Sequence, residues 1–238
     1  MRSSNPALRD DTFVGYGGDA TMTLAGTINK TGILLLLAMG SGALSWSLQR
    51  GGAGFLLPGI GLIGGFIVAM VTIFKPSISP YTAPVYAVLE GFLLGAIASA
   101  STAKSPGIAS QAMILTFGTL FGMLAAYKFG VIKPTESFKR GVIAATLGIA
   151  VFYAIALVVG MFGVNIPLLH DSSMLGIVIS LGIVVVAALN LVLDFDFIEQ
   201  GVNNEAPKYM EWYGAFSIMV TLVWLYLEIL RLLRRLRN

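Results

Sequence analysis

The chain has 238 residues, of which 56% are hydrophobic and only 11% charged, with a mean hydropathy of +0.84; a soluble domain carries roughly a quarter charged residues, so a water-soluble globular protein is excluded. The net charge of +3 and the pI near 9.2 come from basic residues at the ends of apolar runs, which is an orientation signal and not a nucleic-acid footprint. With no cysteine there is no disulfide, thiol chemistry or thiolate metal site. Residues 1–23 are polar and rich in Gly, Ser and Asp. They lack the apolar core of a cleaved signal peptide and are expected to form a disordered N-terminal tail. A spanning helix needs about 20 mostly apolar residues to cross roughly 30 Å of hydrocarbon. Seven segments meet that length, at about 31–49, 53–74, 81–101, 107–127, 141–163, 172–193 and 212–230. The expected fold is therefore an all-α integral membrane protein, with one seven-helix domain over 24–238 that ends in a short basic tail.

Taken in order, the first span carries Lys30 at its start, where a long side chain can extend its ammonium to the interface as an anchor. GxxxG pairs recur at Gly61 and Gly65, Gly91 and Gly95, and Gly118 and Gly122, a spacing that lets helix backbones approach closely. Pro58, Pro80 and Pro84 fall at or near helix starts, where a missing N–H is tolerated. Glu90 stands in the middle of the third span with no adjacent base, so it must face the bundle interior or hold its proton. It either lines an ion or proton path or bonds, neutral, to a neighbouring helix. His170 lies in the connection LLHDSS, and Asp171 is the expected N-cap of the sixth span.

The seventh span carries Tyr213, Ser217, Thr221 and Glu228 within one arc of ~80°. A polar stripe of that length must face protein or water, which makes the last helix central. Alternatively, the hydroxyls bond back to their own helix and Glu228 pairs with Arg231 or Arg234.

Loop charges favour a cytoplasmic N-terminus. That side collects Arg2, Arg9, Lys75, Lys128, Lys133, Lys139, Arg140 and Lys208, against Arg50 and Lys104 opposite. An odd number of spans then puts Arg231, Arg234, Arg235 and Arg237 outside, so either the tail breaks the bias or one segment is re-entrant. We favour seven true spans.

Asp194 and Asp196 close the sixth apolar run and Glu211 opens the seventh, in LNLVLDFDFIEQGVNNEAPKYMEWYGAF. With the N-terminus inside, these acids and Lys75 lie near one face and can meet. Three carboxylates around one ammonium cannot all stay ionised comfortably and should titrate as a coupled set. Oxygen ligands of this kind also suit calcium, so Asp194 and Asp196 are candidate ligands for it. The plainer alternative is that the acids mark the membrane boundary in contact with water.

An enzyme is not expected. The single histidine is loop-borne, GxSxG and HExxH are absent, and the last span has no lysine for a retinal Schiff base.

In YAVLEGFLLGAIAS, LVLDFDFIEQG and MVTLVWLYLEILRLL, over nearly all of residues 24–235, the chain resembles a bacterial member of the Bax inhibitor family (transmembrane Bax inhibitor motif), the YccA-like membrane proteins. That resemblance implies seven helices with the last surrounded by the other six, and a pH-sensitive calcium leak in the bacterial plasma membrane. It further implies a latch in which aspartates of spans six and seven share a proton near a basic residue of span two. Carried across, the FD of span six matches Asp196 and the basic partner is Lys75. The second aspartate falls about at Thr221, a departure, since a hydroxyl cannot share negative charge. Asp194, Glu211 or Glu228 can substitute, and Glu211 is preferred because it lies at a depth similar to Asp196. Family resemblance also includes stress protection and control of membrane proteases. The competing reading is thus a non-conducting regulator that binds such a partner.

Overall fold

The computed structural model describes residues 21–52, 54–162 and 173–237. Its seven long helices are α1 (Leu24–Arg50), α2 (Leu57–Phe74), α3 (Ser79–Lys104), α4 (Ile108–Lys128), α5 (Glu136–Met161), α6 (Met174–Asn203) and α7 (Met210–Arg237), with a 3₁₀ turn at Pro76–Ile78 before α3. All seven are long and apolar enough to span a membrane. α1, α3, α5, α6 and α7 outrun the apolar segments read from the sequence, because hydropathy marks only the stretch inside hydrocarbon while backbone hydrogen bonding continues into the interface; α2 instead starts four residues later than expected. The largest extension is in α6, which runs on to Asn203 and leaves Asp194 and Asp196 inside the helix instead of at its close. Side-chain oxygens cap three helix starts: Thr23 accepts from Gly26 N, Thr135 from Phe138 N and Ser173 from Gly176 N. Ser173, not Asp171, thus caps α6; His170 and Asp171 lie outside the described residues.

α7 is the central helix. It packs against α6, α1, α4 and α3, while α2 lies on α3 and α5 on α6. Of the seven, α7 is the most buried and α5 the least. One apolar core joins α7 to α4 and α6 through Leu225, Ile229, Leu191 and Ile108; a second joins it to α1 and α3 through Ala215, Phe216, Leu34 and Ala87.

Two of the three GxxxG pairs sit at helix crossings. A Cβ on Gly61 would stand 2.6 Å from the Leu89 carbonyl oxygen of α3, and one on Gly95 would overlap the Gly42 carbonyl of α1. Gly118 and Gly122 instead face open space, so the third pair packs no helix.

Because the helices alternate in direction, the starts of α1, α3, α5 and α7 share one membrane side, here the N-side, and the end of α7 lies on the other, the C-side. The C-terminal arginines are drawn into the fold at the C-side. Arg235 donates to the Gly176 carbonyl, and Arg237 donates to Pro106 O (3.0 Å) and Gln111 Oε1 (2.7 Å). The basic tail thereby caps backbone and side-chain acceptors between helices. At the N-side the expected tail lies outside the described residues up to residue 20, but its last residues are ordered. Thr21 bridges Pro207, Met22 N donates to Ala206 O (2.7 Å), and the buried Met22 side chain rests on Gly201.

Candidate functional site: carboxylates around the last helix

The acids expected to form one cluster occupy three separate environments. Glu211, in the first turn of α7, is fully buried. Its carboxylate accepts from Lys30 Nζ, from Lys208 Nζ (2.9 Å), and from both Thr23 N (2.9 Å) and Thr23 Oγ1 (2.7 Å). The Lys30 ammonium also stands 5.5 Å above the Trp212 ring. The carboxylate lies so close to Gly26 that a Cβ there would overlap it. Lys30 therefore has a charge partner at the N-side ends of α1 and α7. This knot ties α1 to α7, with three donors on Oε1 and the Lys30 ammonium on Oε2.

Asp194 faces α7 from about two-thirds of the way along α6. One oxygen, Oδ1, accepts from Ser217 Oγ; Thr221, one turn further along α7, lies beside the same carboxyl; and Oδ2 is buried without a hydrogen-bond partner. No ammonium or guanidinium bonds Asp194 among the described residues.

Asp196 is two residues on and so turned ~200° around the helix. It points outward to α5, where Lys139 Nζ stands 2.8 Å away, and Gln200 of its own helix donates to the same oxygen. Sequence order kept the two aspartates together, but helical geometry sends them apart. Among the described residues no group of three Asp, Glu or His side chains gathers to hold a metal.

Lys75, the expected basic partner, caps the end of α2, is exposed, and makes no ion pair among the described residues. The structure thus brings neither Lys75 nor Glu211 to the aspartates of α6. Lys30 and Lys208 take the Lys75 role beside Glu211, and Lys139 takes it beside Asp196.

Glu90 is buried on α3, with its carboxyl against Gly65 of α2, the Tyr86 hydroxyl beside it and Oε2 unpartnered. Tyr86 in turn meets Phe216 of α7 edge-on at 4.9 Å.

Of the polar stripe on α7, Tyr213 stacks with Phe197 and Phe216, and Ser217 and Thr221 serve Asp194. Glu228 is held near the C-side by Arg231 (2.7 Å), Tyr153 Oη of α5 (3.0 Å) and Trp224 Nε1 (3.2 Å). The alternative that paired Glu228 with Arg231 is the arrangement found. Tyr153 and Lys139 were not singled out as partners by the sequence reading, and no local pattern points to them. Lys208 does stand three residues before Glu211, a spacing at which helical charges pair.

Seven spanning helices, the last of them central and polar-striped, define an integral membrane protein with buried acids on its interior helices. The chain belongs to the Bax inhibitor 1 like family, whose model matches residues 5–238. No curated protein and no solved structure matches the chain.

Proposed function

We propose that the protein is a pH-sensitive cation leak pathway, with calcium the favoured ion, in which Asp194 takes and releases the proton that governs passage. The observation that carries this is the Asp194 carboxyl, buried between α6 and α7 with hydroxyl neighbours, one oxygen unpartnered and no bonded cation among the described residues. In such surroundings negative charge needs either a proton or an incoming cation to balance it.

With its proton, Asp194 is neutral and lets α6 and α7 close on each other. Without it, the carboxylate and the Ser217 and Thr221 hydroxyls offer three hard oxygen ligands to a permeating cation. Flux therefore rises with pH. Because the family's second aspartate falls about at Thr221, a single charge does the switching here. Asp196, Glu211 and Glu228 already have cationic partners and act as fixed charges. Glu90, another buried acid with no ion pair among the described residues, is a second candidate for the interior path. Loop charge favours a cytoplasmic N-side, and the bacterial plasma membrane follows from the family resemblance alone.

The test is calcium entry into liposomes holding the full-length protein, measured across pH for the parent, Asp194→Asn and Asp196→Asn. Asp194→Asn should remain at the parent's acid-side flux at every pH, and Asp196→Asn should keep the parent's pH response. Flux no greater than in protein-free liposomes would overturn conduction; copurification with a membrane protease would then favour the regulatory reading.

A further inference from the structure

A second feature, independent of the leak, lies on the lipid-facing side of the bundle. α1 and α4 both lean on α7 but scarcely meet each other, because α1 is drawn against α3 at the Gly42–Gly95 crossing, where a side chain larger than hydrogen would overlap backbone. The gap is a half-open cavity of about 410 Å³ walled almost wholly by apolar atoms, running along α1 from Leu35 to Trp46. At 1.5 Å per residue that is ~16 Å, about half the hydrocarbon thickness. It lies in the C-side half of the bundle. Met39 and Met113, on its two lips, are half-exposed.

Water has no polar partner in such a groove, and an empty one forfeits the dispersion contacts of its walls. The surrounding solvent at this depth is lipid chains. At the C-side end, the Arg50 guanidinium lies 5.6 Å from the Trp46 ring, above the groove, and Lys104 ends the neighbouring α3. Both cations are exposed, and neither has a carboxylate partner among the described residues. An apolar slot one leaflet deep with the Arg50 cation at its mouth is complementary to one ligand chemistry.

We propose that this groove binds an anionic phospholipid of the C-side leaflet, one acyl chain lying between α1 and α4 and the phosphate held by Arg50.

The test uses the purified full-length protein in detergent, titrated with phosphatidylglycerol or phosphatidylcholine brominated in the acyl chains. Trp46 emission is isolated as the difference between the parent and Trp46→Phe. Phosphatidylglycerol should quench Trp46 at a concentration at least about fivefold lower than phosphatidylcholine. Arg50→Gln should raise the phosphatidylglycerol midpoint about fivefold and leave phosphatidylcholine unchanged. Ala98→Phe, which fills the groove from α3, should abolish quenching by both. Arg50 is exposed, so its variant keeps the test decisive if Ala98→Phe does not fold. Equal quenching by the two lipids, or an Arg50→Gln titration identical to the parent's, would overturn the proposal. So would a dimer, by mass, that shields Trp46 from both.

Discussion

Glu211 and Asp194 are both carboxylates buried against the central helix, yet their surroundings are opposite. Glu211 has two ammonium groups, a hydroxyl and a backbone N–H aimed at it. Asp194 has hydroxyl neighbours and an unpartnered oxygen. Burial alone therefore does not mark a working acid. A carboxylate held by several donors and cations fixes two helices in place, whereas one left short of donors must exchange protons or cations to change its charge.

The largest effect on stability is expected at Glu211. Glu211→Gln leaves Lys30 without its counter-charge and should destabilise the protein by about 3 kcal/mol, read as a lowered thermal midpoint in detergent. Gly26→Ala attacks the same knot from α1: the new methyl displaces the pinned carboxylate, at about 1–3 kcal/mol. At the far end of α7, Tyr153→Phe removes a donor to the Glu228 carboxylate and should cost about 1.5 kcal/mol. Asp196→Asn breaks only a part-exposed pair with Lys139 and should cost less than about 1 kcal/mol. Asp194→Asn should change stability least, because an amide retains an acceptor for Ser217 and no ion pair is lost. If Asp194→Asn proves as damaging as Glu211→Gln, the distinction between the two acids fails.

Much of the fold was legible because lipid imposes a simple length and polarity rule on each span. The central position of α7 followed from Ser217, Thr221 and Glu228 sharing one face. The site was less legible. Asp194 and Asp196 read as one acidic edge because the apolar run stops at residue 193, but α6 continues to Asn203 and its twist separates them. The Lys30 to Glu211 pair joins residues 181 positions apart, and nothing local to either residue announces it. Lys75 was placed by membrane side alone, which fixes depth but not neighbours.

The account rests on Asp194 changing protonation between α6 and α7. Infrared difference spectra of the lipid-embedded protein, recorded between acidic and alkaline pH, read that event directly. The account predicts a protonated-carboxyl band that titrates with the same midpoint as calcium flux and vanishes in Asp194→Asn while persisting in Asp196→Asn. A spectrum in which Asp194→Asn leaves every titrating carboxyl band unchanged would contradict it.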